Sequence, residues 1–494
     1  MAYDDVAGGQ AVKRLGLLAM IVGALGAGAG IAHAWEAAST HAGLTETAAA
    51  SSHLHARLRA LGWDRGLYEP LIVPPEDASA LIAVLHQYPP TGGFVPDARG
   101  RQFALAWLVA GSVIADGPFA ANHFFDPQSG AGWSGPSRDA MFDVLSWMSR
   151  WQVFAAQDSW TRLRANVSGD PLPDQGVPAP AWIVAKDNPL GVTGFLDQYA
   201  KAVRSATPGE RSRAMAGALV AAGAILHVLE DLGSPSHVRG DTQAHLARAG
   251  DSDSDRGSRF ERIAALAYGR IGVPGPSRVV SRTSLMAFFT SHSAGGEPGL
   301  AEDTADHWFS PNTLPAPTRI GTGGRNVQPT LARPRPALPL RMNLMAASQP
   351  DGTTLSDADG VCLARYRVDR GILTFWQDDD CMLAEVDAIL PEVSSYATGA
   401  LDFLFRGELA VAIENGHAVA KAKGALGAGT LELLAEDGRG VRTSIKKLTV
   451  ASGADGATLG DADLPDGARR AVALFTGVDG AGEPIVAVGT FSVK

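Results

Sequence analysis

Residues 226–237 read Leu-His-Val-Leu-Glu-Asp-Leu-Gly-Ser-Pro-Ser-His, and this stretch decides both the fold and the chemistry. His227 and Asp231 are four apart, so on a helix they share a face, and imidazole and carboxylate can converge on one cation. Gly233 and Pro235 then turn the backbone and redirect His237. A mixed nitrogen and oxygen donor set of this kind favours zinc. Upstream, Thr207-Pro-Gly-Glu210 has the form of a capping box with proline at the first helical position, so the alanine-rich run to Asp231 reads as a long buried helix carrying both ligands. Taken alone, H-x3-D also suits a helix-end histidine and a capping acid, and other parts of the chain decide between the two.

At the N-terminus, Lys13 and Arg14 precede an apolar run from Leu15 to Ala32 that ends in Ala32-His33-Ala34, a small-x-small cleavage signal. Residues 1–34 are therefore read as a signal peptide, with an uncleaved anchor as the alternative. Cleavage would make Trp35 the first residue, where its α-amine, its carbonyl and the His41 imidazole can meet at a second metal. A third cluster lies in Gly111-Ser-Val-Ile-Ala-Asp-Gly117 and Asn122-His-Phe-Phe-Asp-Pro127, which bring Asp116 and His123 close in sequence.

The order of these pieces over residues 35–261 resembles the zinc-dependent phospholipase C superfamily, which also contains single-strand nucleases. The resemblance implies an α-helical enzyme with a trinuclear zinc cluster. It places Trp35 and His41 on one zinc and lets Asp231 bridge to a second held by His123 and His227. His237 and Glu261 go to a third. Asp116 is implied as the carboxylate at the cluster and its candidate general base. The superfamily pattern H-x3-E is incomplete here, because the position four before Glu261 is Gly257. His245, Asp241 or the acidic run Asp251, Asp253 and Asp255 are the substitutes available in sequence, and a two-zinc enzyme is equally compatible.

Composition agrees with a secreted enzyme. A chain of 494 residues with 46% hydrophobic residues can build two or three domains with substantial cores. Its net charge of −10 argues against binding nucleic acid through a broad basic surface. The two cysteines, Cys362 and Cys381, enclose a short loop and read as a disulfide formed in an oxidising compartment.

Helical patterning dominates to about residue 407, with amphipathic helices expected at 42–60, 76–88, 101–115, 136–154 and 192–204 and a last one from Val393 to Phe405. Residues 315–341 form a connection rich in proline and glycine. After Gly407 the period changes. Leu409–Ile413, Thr430–Leu434, Ala471–Phe475 and Ile485–Phe491 are short apolar runs between glycine-rich turns, which suggests a β-sandwich over 408–494. The expected organisation is thus mainly α: a signal peptide (1–34), an all-α catalytic domain of the phospholipase C type (35–407) and a small β-sandwich. His53, His55, His86 and His417 sit in no ligand spacing.

The expected function is a secreted or periplasmic zinc-dependent phosphodiester hydrolase, foremost a phospholipase C acting on phospholipid head groups at a membrane surface. The alternatives are a nuclease or nucleotidase acting on single-stranded nucleic acid, and a zinc-stabilised protein that binds without catalysis. No obligate protein partner is evident in the sequence.

Overall fold

The computed structural model describes residues 35–85, 94–134, 176–242, 244, 258–291, 296–319 and 346–493. The signal segment, the helix expected at 136–154, His86, His245, Gly257 and the acids at 251, 253 and 255 lie outside the described residues.

After a π-helical turn at Ala37–His41, the helices run in chain order as α1 (Ala42–Ser51), α2 (Leu54–Ala60), α3 (Pro75–Leu85), α4 (Ala104–Phe119), α5 (Ala179–Ile183) and α6 (Val192–Arg204). They continue as α7 (Pro208–Asp231), α8 (Pro235–Val238), α9 (Arg259–Tyr268), α10 (Met286–Phe289), α11 (Leu300–His307) and α12 (Asp379–Leu404). The capping box forms as the sequence implies. Glu210 N donates to Thr207 Oγ1 at 3.3 Å and Thr207 N donates to Glu210 Oε2 at 3.1 Å. From Ala214 to Asp231 helix α7 is buried all round, which accounts for its apolar composition up to Leu226. Two glycines let it lie directly on α4. A Cβ on Gly223 would sit 1.9 Å from the Leu108 carbonyl oxygen, and one on Gly111 would sit 2.1 Å from that of Val220. This backbone-to-backbone crossing fixes the level of His227, one turn beyond Gly223.

Two of the expected helices have ends set by an aspartate side chain. The single helix expected over 42–60 breaks at Ser52, because Asp402 accepts from both His53 N at 2.7 Å and His53 Nδ1 at 2.8 Å and so starts a second helix. The last helix begins at Asp379 rather than Val393. The Asp378 carboxylate caps it by accepting from Cys381 N at 3.0 Å, and Pro391 is tolerated in its interior. A proline at that point reads in sequence as a boundary.

The region up to residue 407 is not all-α. Strands β1 (Pro70–Ile72) and β2 (Arg101–Phe103) pair antiparallel, and a four-stranded sheet is built from β3 (Thr318–Arg319), β4 (Thr353–Ser356), β5 (Cys362–Asp369) and β6 (Ile372–Trp376) in the order β3-β6-β5-β4. The β5–β6 hairpin turns at Arg370-Gly371, both with positive φ (49° and 76°), as a two-residue turn matched to strand twist requires. Leu355, Leu363, Tyr366 and Leu373 give this sheet a core of its own with Phe309. The Cys362–Cys381 disulfide forms, with its Cα atoms 4.8 Å apart. It ties the start of β5 to the first turn of α12, and closing a loop of this size contributes ~3 kcal/mol.

The C-terminal strands are β7 (Glu408–Glu414), β8 (His417–Lys423), β9 (Leu426–Glu436), β10 (Arg442–Val450), β11 (Thr458–Asp463), β12 (Arg470–Asp479) and β13 (Pro484–Ser492). They form one seven-stranded sheet in the order β10-β9-β12-β13-β7-β8-β11 rather than the two layers of a sandwich. The sheet curls until Gly460 of β11 lies against Leu448 of β10, giving a near-barrel. Both faces are buried, and this hid the architecture. Leu431, Leu433, Ala473, Phe475, Ile485 and Ala487 fill the enclosed face, while Leu434, Val472, Leu474, Val486 and Val488 join the helical core. Alternate residues thus enter different cores, and the strands read as continuous apolar runs.

Candidate metal centre

The last turn of α7 presents His227 and Asp231 at i and i+4, and both are fully buried. Asp231 is the hub. Its Oδ1 lies 3.0 Å from His41 Nε2, delivered by the π-helical turn. Its Oδ2 lies 2.8 Å from His123 Nδ1 and 3.2 Å from His227 Nε2. The two imidazole nitrogens facing Oδ2 are themselves 3.2 Å apart, and the His41 and His227 rings stack with centroids at 3.7 Å. Donor atoms each about 2.05 Å from a tetrahedral cation are separated by about 3.3 Å, so Oδ2 and the two nitrogens facing it already have separations near the edge length of such a polyhedron. His41, His227 and Asp231 form a buried group that can hold a metal ion.

Glu230 was not among the residues singled out by spacing, yet it is fully buried beside the hub. Its Oε2 lies 2.7 Å from His41 Nδ1, and its Oε1 accepts from Thr45 Oγ1 at 3.1 Å. Burial pushes the Glu230 carboxyl well above the usual carboxylate range, the Thr45 hydrogen bond opposes this, and the neighbouring Asp231 charge adds to it. The signal in the sequence was a charged residue in a helix stretch with no solvent-facing stripe.

Trp35 is buried and donates its indole Nε1–H to the Glu230 carbonyl at 2.9 Å. Its ring packs on Phe260 of α9 at 5.3 Å, next to the buried Glu261. His237, on α8, is buried with its ring stacked on Phe124 at 3.8 Å. Its Nδ1 lies 3.2 Å from the His123 carbonyl oxygen, which can only accept, so Nδ1 donates in this hydrogen bond. The segment around His123 is held from both sides, by Phe125 N donating to the His237 carbonyl and Ala179 N donating to the Phe124 carbonyl. Asp116 belongs to the backbone of α4, and its side chain lies outside the described residues. Asp241 has a structural task. Its carboxylate accepts from Ala244 N at 3.0 Å, Asn312 N at 2.8 Å, Asn312 Nδ2 at 2.9 Å and the Ser310 hydroxyl, pinning the 310–312 turn.

Of the histidines outside the ligand spacing, His53 pairs with Asp402 and His417 with Asp463. His307 pairs with Asp303 in a cavity of about 280 Å³ between α11 and α12. The Asp303 hydrogen bond, working against desolvation, pushes the His307 imidazole up to about 9. A raised histidine stabilises the fold fully below its unfolded value of about 6.5 and loses that contribution as pH rises through the folded value. Denaturation midpoints of wild type are therefore expected to fall between pH 6.5 and about 9. His307→Gln should flatten that part of the curve, and equal slopes in both proteins would remove the pair from the pH response.

No protein-family model and no curated protein matches the chain. Among solved structures it is similar to the alpha toxin from Clostridium absonum, at 9% identity, with 93% of this chain and 95% of the toxin covered and a TM-score of 0.27. It is also similar to the Clostridium perfringens alpha-toxin isolated from avian strain SWCP, at 11% identity, with 93% and 99% covered and a TM-score of 0.26. TM-scores of this size do not establish a shared fold, so the reading of the centre rests on its own geometry.

Proposed function

We propose that the chain is a secreted zinc-dependent phosphodiester hydrolase whose foremost activity is phospholipase C-type cleavage of phospholipids. The observation that carries the metal reading is the use of both Asp231 oxygens, each facing imidazole nitrogen, with the histidines drawn from three separate parts of the chain. The donor set fits zinc, being nitrogen-rich with one carboxylate. His123, His227 and Asp231 would hold one ion, and His41 with Trp35 would share Asp231 for a second. His237, through Nε2, and Glu261 would hold a third. Bound zinc supplies Lewis acidity toward a phosphoryl oxygen and acidifies water. The chain's own part is to bury and orient these donors, and Asp116 is proposed as the base that takes the proton from the attacking water. Secretion is supported by the disulfide, which an oxidising compartment favours.

The choice of phosphodiester follows the His123-Phe-Phe-Asp-Pro127 segment and the order of ligands. Purified protein beginning at Trp35 is expected to release diacylglycerol from phosphatidylcholine vesicles, to stop after chelation and to resume on adding zinc. Cleavage of single-stranded DNA in place of lipid would move the assignment to a nuclease. Retained zinc without turnover of either substrate would indicate a metal that only stabilises the fold.

A further inference from the structure

Glu230 stands outside the ligand pattern, and a buried carboxylate in an alanine-rich helix is costly unless its partners offset the loss of water. The partners here have a common origin. The His41 imidazole and the Thr45 hydroxyl bond its side chain, and the Trp35 indole bonds its carbonyl, so three groups from one short stretch of the chain, residues 35–45, meet at this one residue of α7. His41 turns its two nitrogens to different carboxylates, Nδ1 to Glu230 and Nε2 to Asp231. One imidazole cannot bring both nitrogens to the same cation. The nitrogen that faces Asp231 shares in the converging donor set, whereas the Glu230 oxygens each face one partner, as in ordinary hydrogen bonding.

We infer that Glu230 is a positioning residue of the metal centre: by accepting the Nδ1–H of His41 it fixes the tautomer and ring orientation that direct the Nε2 lone pair toward the metal position at Asp231, and it seats residues 35–45 on the ligand helix. The inference rests on the metal reading proposed above. A hydrogen-bond acceptor behind a ligating histidine holds its tautomer and ring orientation, and losing such a partner typically costs about 10–100-fold in metal affinity.

Zinc affinity of the full mature chain, measured by competition with a chromophoric chelator, tests this together with the ¹⁵N shifts of His41 in the zinc-loaded protein. Glu230→Ala is expected to weaken the zinc held by His41 by about 10–100-fold while the His123–His227 zinc keeps its affinity. Glu230→Gln, whose amide oxygen still accepts from Nδ1, should lie between Glu230→Ala and wild type. In wild type, His41 should show a protonated Nδ1 and a metal-shifted Nε2. A folded Glu230→Ala protein with unchanged affinity at every site overturns the inference while leaving the metal reading intact. Should that variant not fold, a metal-shifted Nδ1 in wild type overturns it instead. A wild-type protein that takes up no zinc at all defeats the metal reading itself, and the inference with it.

Discussion

Asp231→Asn is expected to cost more than about 100-fold in zinc affinity, beyond the loss typical of a residue that only supports a ligand. The side chain uses both oxygens, Oδ1 toward His41 and Oδ2 toward His123 and His227, and asparagine replaces one of them with an NH2 group that cannot face a cation. It also removes the negative charge between two metal positions, so ions left there would repel each other. Asp116→Asn should differ in kind. A base contributes about 10²–10⁴-fold to rate, so that variant should keep its zinc and lose turnover. Zinc per chain after dialysis and turnover on the same samples separate the two. A variant at 231 with full zinc beside one at 116 stripped of it would exchange the roles.

Gly223→Ala is expected to destabilise the helical domain by about 1–3 kcal/mol and to weaken metal binding, although the added methyl would meet α4 rather than a ligand side chain. The added methyl would stand 1.9 Å from the Leu108 carbonyl oxygen, which is backbone and cannot rotate away, so α7 must move off α4. That shift displaces His227 and Asp231 relative to His123, which follows α4. Gly217→Ala on the same helix is the control. The three atoms nearest its methyl would all belong to the flexible Gln198 side chain, at 3.2–3.4 Å, so little change is expected. Denaturant midpoints and zinc affinities of the two variants check the contrast, and equal stabilities would show that the crossing is not held by close backbone contact.

The parts of this molecule that were legible in sequence are those specified locally. The capping box at Thr207 and Glu210, proline at the first helical position and the four-residue spacing of His227 and Asp231 all act within a few residues, and α7 follows them. Tertiary partners were not legible in the same way. The sheet of residues 318–376 has short and only partly apolar strands, and its clearest local mark is the Arg370-Gly371 turn. The C-terminal strands are legible but their arrangement is not, since period-two burial into two cores gives the same apolar runs whether a second sheet or a helical layer covers the outer face. Glu230 was missed because ligand spacing counts from His227 to Asp231 and passes over it. Its partners His41 and Thr45 are 185 residues or more away in sequence.

The most direct test is the count of zinc bound per chain by purified, folded wild-type protein dialysed against a weak chelator. More than one zinc per chain is expected, with the loss of that tightly bound zinc in Asp231→Asn. A folded wild-type chain that stays free of zinc under these conditions would contradict the metal centre and reduce the His41, His123, His227 and Asp231 cluster to a buried hydrogen-bond network.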